Sequence, residues 1–324
     1  MRLTLPPMDL GLVVRSHGWY DLAPFEWDAE KKTLRLIFLE RERGCPVQVA
    51  VQERANGLVA TASVVAPAAR SSKGKLNGNS ARRASAAGKP SLPFKENLSS
   101  DVSRRAVGRV LERVLDLKAD LSSFHSSCAG DPGFAWIARR GAGRILRAPT
   151  LFEDAVKVLA TTNCTWGLTK LMVRNLVERF DRGGAFPDAT FVAGLPARAL
   201  VGAKLGYRAP YLAAFAGRVA SGKLDLARWE DAARPDEDVE KEIRAEKGFG
   251  PYAADTLGRL LGRHRKLGLD SWSRKKVASL RFRGRAVKDA RVERLYAPFG
   301  RHAGLAFWLD MTRDWHEEKE SLWP

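Results

Sequence analysis

Residues 32–40, 46–52 and 57–65 are rich in β-branched side chains, and two of these stretches alternate apolar and polar positions. Polar or Gly-containing turns separate them, the pattern of an antiparallel meander. From Asp101 the period lengthens: Val107, Val110, Leu111, Val114 and Leu115 recur at helical spacing. The run Pro149-Thr-Leu-Phe-Glu153 predicts a capping box, with Thr150 accepting from the Glu153 amide and Glu153 reaching back. It opens a helix that buries Phe152, Val156 and Leu159. Further helices are predicted over 168–180, 208–220, 239–247, 252–261, 271–280 and 302–315. Between the two patterns, residues 66–100 are Ser/Ala/Gly/Lys/Asn-rich without periodicity, which predicts a disordered insertion. The expected architecture is α+β: an N-terminal antiparallel β domain (1–65), a basic insertion (66–100) and an all-α domain (101–324).

Composition narrows the class. The chain has 324 residues, 45% of them apolar, with nine Trp and 14 Phe, enough for a substantial core. No run approaches the roughly 18 apolar residues of a membrane span, and the first ten residues lack the apolar core of a secretory signal. Cys45, Cys128 and Cys164 stand singly, with no Cys/His cluster of metal-ligand spacing. An intracellular protein with no metal and no required cofactor is expected.

Charge changes the picture further. Lys and Arg number 55 against 37 Asp and Glu, a net charge of +18. Residues 66–100 hold seven of the cations and Glu96 alone among acids, so the remainder keeps about +12. Such an excess attracts polyanions, which makes nucleic acid the leading partner class.

The stretch 239–261 is the most informative. A short amphipathic segment (Val239, Ile243, Ala245) meets Lys247-Gly248-Phe249-Gly250-Pro251, and a second helix starts at once, burying Ala253, Ala254, Leu257 and Leu261. The glycines permit a tight turn and Pro251 suits the first helical turn. A helix, a Gly-x-Gly hairpin and a helix leave backbone amides where a phosphate can dock, although a Gly-x-Gly before a helix is by itself more often an ordinary turn. Asp270 follows 20 residues after Gly250, in the loop Leu267-Gly-Leu-Asp270-Ser-Trp272. Read alone, it is a helix N-cap.

Taken together, these residues resemble the helix–hairpin–helix DNA glycosylases, the superfamily that holds the alkylpurine and 8-oxoguanine glycosylases. Gly248-Phe249-Gly250 is similar to the family hairpin, and Asp270 falls where the family carries its catalytic carboxylate. Ala160-Thr-Thr-Asn163-Cys-Thr165 resembles the loop that supplies the residue inserted into the duplex, and Asn163 matches that residue. Leu205-Gly-Tyr-Arg-Ala209 resembles a helix-opening stretch of these proteins. Arg15-Ser-His-Gly-Trp19 resembles the segment that lines the lesion pocket at the start of their TATA-binding-protein-like β domain.

The resemblance implies an intracellular, monomeric enzyme of base excision repair that works on double-stranded DNA and no membrane. It flips a damaged purine into a pocket and hydrolyses its N-glycosidic bond. Asp270 would be the catalytic carboxylate. Gly248, Phe249, Gly250, Asn163, Arg274 and Lys275 would contact DNA, and Gly18, Trp19, Tyr252 and Trp272 would line the base pocket, with Tyr20 and Trp308 as further stacking candidates. Relatives also hold a monovalent cation on the hairpin carbonyls. Family members that nick the strand carry a Lys two residues after the second hairpin glycine; Tyr252 stands there instead, which implies a monofunctional enzyme. Tyr252 resembles the alkylpurine branch, whereas Asn163 and the N-terminal segment resemble the 8-oxoguanine branch; alkylated bases are favoured. A non-catalytic reader of DNA lesions is the alternative from another class.

Overall fold

The computed structural model describes residues 1–65, 104–180 and 182–316; the predicted insertion at 66–100 lies outside them. The N-terminal part is a five-stranded sheet of β1 (Arg2–Leu5), β2 (Glu26–Asp28), β3 (Thr33–Leu39), β4 (Pro46–Arg54) and β5 (Gly57–Val64). Its order is β1-β5-β4-β3-β2 and every neighbouring pair is antiparallel. The predicted meander is therefore present, with two short edge strands added outside it. One face carries the core: Leu34, Leu36 and Phe38 lie opposite Val51, Val49 and Val47, and all six are buried. A one-residue slip would turn this ladder to the other face, so burial fixes the register. Between β1 and β2, the helix α1 (Leu10–Val14) is buried throughout its length.

Helices α2 (Arg104–Val114), α3 (Ser122–Ala129) and α4 (Ala135–Arg140) lead to the central α5 (Leu151–Thr161). It is followed in sequence by α6 (Trp166–Phe180), α7 (Ala189–Ala193), α8 (Ala197–Gly202), α9 (Arg208–Ala220) and α10 (Ala227–Glu230). They are followed by α11 (Asp236–Ala245), α12 (Pro251–Leu260), α13 (Ser271–Phe282), α14 (Asp289–Tyr296), α15 (Ala303–Met311) and α16 (Arg313–His316). No described helix is long and apolar enough to cross a membrane.

Helix α5 packs on α6, α9 and α12 and is buried over Leu151–Ala160. Only half of its predicted capping box forms. Thr150 accepts from the Glu153 amide at 3.2 Å, but the Glu153 carboxylate turns to Lys157, 2.7 Å away and four residues on. Both side chains are buried, and the Lys157 ammonium lies 4.6 Å over the ring of Phe25. This pair joins α5 to the N-terminal part of the chain, and burial pushes the Glu153 carboxyl above its ordinary range. The helix predicted over 302–315 breaks at Thr312, whose hydroxyl donates to the Trp308 carbonyl at 2.8 Å.

Candidate active site

The site grows from the turn between α11 and α12. Val239 and Ile243 anchor α11 in the core, and the acids Asp236, Glu237 and Asp238 sit in its first turn, where the helix dipole favours them. Gly248 has φ +92°, and a Cβ there would stand 2.6 Å from Leu159 Cδ1 and 2.9 Å from Tyr211 Cδ2. The hairpin is thus pressed against α5 and α9 at a point where only glycine fits. Phe249 is buried and packs on Phe215, ring centroids 5.1 Å apart. Its side chain is therefore a core anchor and not a DNA contact, and its amide donates to the Glu246 carbonyl at 3.1 Å. The amides of Gly248 and Gly250 donate to no acceptor among the described residues, and Gly250 caps α12 without a side chain.

Helix α12 presents two apolar or functional stripes. Ala253, Leu257 and Leu260 face the core, with Leu260 taking the place expected for Leu261. Tyr252, Thr256 and Arg259, spaced i, i+4, i+7, face a cleft of about 1200 Å³. This exceeds the roughly 300–1,000 Å³ of small-molecule sites. Its lining includes the hairpin, Asn163, Gly18, Trp19, Tyr252, Asp270, Trp272 and Trp308. The structure thus gathers most of the residues named from the sequence into one cavity.

Asp270 caps α13. One carboxylate oxygen, Oδ1, accepts from the Ser273 amide at 2.7 Å, and the Asp270 amide donates to the Ser273 hydroxyl at 2.9 Å. Its second oxygen has no partner among the described residues, and the residue lines the cleft. The cap fixes the carboxylate and leaves half of it available.

Trp19 forms a rigid wall and not an open stacking surface: it is buried, and its Nε1 donates to Asp154 Oδ1 at 2.7 Å. Asp154 also accepts from the Ala148 amide at 2.9 Å and from Arg113 Nη2 at 2.7 Å. His17 packs on Trp19 with ring centroids 4.5 Å apart, and its Nε2–H donates to the Leu146 carbonyl. Burial lowers its pKa to about 3, so the ring is neutral. Trp308 donates from Nε1 to the Ser16 carbonyl at 2.7 Å and lies 6.0 Å from Trp272. Tyr20 is outside the cleft lining.

Asn163 projects from the loop after α5, exposed and in the left-handed region at φ +47°. The loop is clamped by Arg208, a buried side chain that donates to both the carbonyl and the hydroxyl of Thr162. Beside it, Tyr207 is half exposed, and its hydroxyl donates to the Thr162 carbonyl at 3.4 Å. Tyr207 was not singled out from the sequence; an aromatic before a helix that packs inward at Ala209 and Leu212 carries the signal.

The cationic run after Asp270 is less open than its sequence implies. Arg274 grips Asp289 with two bonds of 2.9 and 2.8 Å, so it is not a free phosphate ligand. Lys276 pairs with Asp314 and Arg281 with Asp310. Lys275 is exposed and has no ion pair among the described residues.

No protein-family profile and no curated protein matches this chain. Similarity to solved structures is extensive. MBOgg1, in complex with a low-affinity DNA ligand, superposes with a TM-score of 0.68 at 17% identity, over 97% of this chain and 95% of that one. A 3-methyladenine DNA glycosylase from Archaeoglobus fulgidus gives 0.66 at 17% identity, over 96% and 98%. An 8-oxoguanine glycosylase/lyase from Clostridium acetobutylicum in its apo form gives 0.66 at 18% identity, over 95% and 94%. The chain has the fold of these DNA glycosylases. The likeness runs through both the β part and the helical part, as the order of the sequence motifs implies. The hairpin, one stripe of α12 and Asp270 line the cleft together. Among the described residues no group of three or more His, Cys, Asp or Glu side chains is placed to hold a metal ion.

Proposed function

We propose that the protein is a monofunctional DNA glycosylase that flips a damaged purine into the cleft and hydrolyses its N-glycosidic bond. The observation that carries this reading is the half-satisfied carboxylate of Asp270 in the same aromatic-walled cleft as the unpaired hairpin amides. The amides of Gly248 and Gly250 take a backbone phosphate of the bent duplex. Asn163, with exposed Tyr207 beside it, fills the stack the base has left, offsetting part of the unstacking energy. The carbonyls of Lys247, Gly248 and Phe249 accept no hydrogen bond among the described residues. They are the oxygens that would hold a monovalent cation, which would screen the same phosphate.

Chemistry then proceeds at C1′. The N9–C1′ bond breaks with its electron pair on the base, and the sugar gains oxocarbenium character. The fixed Asp270 carboxylate stabilises that charge and accepts a proton from the water whose oxygen bonds to C1′. The proton is finally carried by the departing base, so the products are an abasic site and the free base. Tyr252 lines the cleft where a strand-nicking enzyme needs an amine. Lys247, the only Lys in the cleft lining among the described residues, is exposed and precedes the hairpin glycines instead of following them.

The test is base release from end-labelled duplexes that carry single lesions, with and without alkali. Strand breaks are expected only after alkali, and no Schiff base is expected to be trapped by borohydride. Asp270→Asn should lower the rate by about 100-fold or more. Lesion binding without release by the wild type would instead establish a non-catalytic reader.

A further inference from the structure

Deep in the cleft, α12 places a charge that the proposed reaction has not yet used. Arg259 is 7% exposed. Its Nη2 donates to the Leu267 carbonyl at 3.2 Å, while its Nε is buried without an acceptor. No carboxylate lies within ion-pairing distance among the described residues; Asp255 and Asp270 act on it only through space. Burial pulls its pKa down to about 10, so it stays cationic at neutral pH. The guanidinium lies 4.3 Å over the ring of Trp308. Space is kept for it: Gly268 has φ +68°, and a Cβ there would come within 2.9 Å of Nη2.

A buried charge without a counter-ion is unfavourable, and the neighbours Leu257 and Leu260 show that this helix is otherwise packed with apolar side chains. A guanidinium only partly satisfied by Leu267, on a side chain that lines a cleft, is held ready for an acceptor that arrives with a ligand. We infer that Arg259 determines base specificity, selecting an uncharged purine that presents a carbonyl edge and stabilising the electron pair that this base takes when it leaves. The inference rests on the glycosylase reading above.

Three observations set its direction. Like charges repel, so a fixed cation in the pocket works against N-alkylated purines that are themselves cationic, the class that the resemblance at Tyr252 implies. The electron-rich face of Trp308 is already covered by Arg259, which removes that face from attraction to a second cation. Asp270 acts on Arg259 through space, so a phosphate drawn to this guanidinium would be repelled by a carboxylate, whereas a neutral base edge would not be repelled. A neutral base is the poorer leaving group, since cleavage puts negative charge on it. Guanidinium N–H groups aimed at its carbonyl oxygen supply the stabilisation that a cationic base does not need.

Wild type, Arg259→Met and Arg259→Lys are compared in single-turnover release from duplexes with one 8-oxoguanine, one hypoxanthine or one 7-methylguanine. The wild type should release at least one of the two neutral oxo-bases faster than 7-methylguanine. Arg259→Met, which keeps the volume without the charge, should lower the ratio of neutral to methylated release by about 100-fold. Arg259→Lys should recover part of it. Thermal melting and affinity for undamaged duplex report folding and backbone binding separately. A wild type that prefers 7-methylguanine, or a Met variant that lowers all rates alike, would overturn the role of Arg259 and leave the glycosylase reading intact. So would a Met variant whose main effect is weaker, less salt-dependent binding to undamaged DNA. Release from none of the three duplexes, while another damaged base is excised, likewise ends the proposal alone. Release from no lesion of any kind removes the glycosylase reading and this role with it.

Discussion

Asp270 holds a helix end and faces the cleft, and one substitution separates the two roles. Asn caps helices about as well as Asp, so Asp270→Asn should leave stability within about 0.5 kcal/mol while removing base release. Gly248 is the opposite case, a residue whose function is its missing side chain. Gly248→Ala forces a Cβ against Leu159 and Tyr211 in a left-handed conformation. It should destabilise the fold by roughly 2 kcal/mol or more, read as a lower urea midpoint. Both residues were legible in the sequence, because Gly-x-Gly and a carboxylate 20 residues on are fixed spacings within a short stretch. Arg259 was not. An Arg in an amphipathic helix is ordinarily solvated, and its burial depends on Trp308 and Leu267, which reach it only through the tertiary fold. The pairing of Arg274 with Asp289 was hidden for the same reason, since it requires the turn between α13 and α14.

At the scale of elements, the hairpin of α11 and α12 mounts the proposed phosphate site on a core plug. Lys247 and Phe249, two residues apart, report these functions separately. Phe249→Ala should cost about 3–5 kcal/mol of stability by emptying its contact with Phe215. Lys247→Ala should leave the unfolding midpoint in place and lower the slope of log affinity against log salt by about one. Equal stability losses in both variants would contradict this division. The helices themselves were readable: 208–220 was predicted to the residue, because its apolar positions keep a clean period. The small misses have local causes. Strands β1 and β2 span four and three residues, too short for alternation to register. Glu153 fits a capping box by spacing, yet Lys157 four residues later competes for it and wins inside the core.

The whole molecule carries a pH dependence in its buried imidazoles. His17 and His264 have pKa values lowered to about 3, and His316 to about 4, with burial the largest cause in each. Each binds a proton near 6.5 when unfolded and resists it when folded. The unfolded chain therefore takes up protons first, and stability is fully present above about 6.5 and falls as pH drops towards 4 and 3. Each histidine contributes up to about 1.4 kcal/mol per pH unit in that window. Glu153, Asp116 and Asp255, whose carboxyls burial raises, oppose part of this trend near the acid end. Urea midpoints should fall between pH 6.5 and 5; a flat profile there would contradict the buried, neutral histidines.

The cleft is closed by segments that lie far apart in sequence. Trp308 donates to the carbonyl of Ser16, 292 residues earlier, and stacks on Arg259. The hairpin proposed to bind phosphate, by contrast, is built from one short stretch of sequence. On the glycosylase reading, choosing a base and holding the backbone therefore rest on different parts of the fold. A change that parts α15 from the segment around Ser16 should, on that reading, blur the choice of base while leaving the grip on the backbone in place.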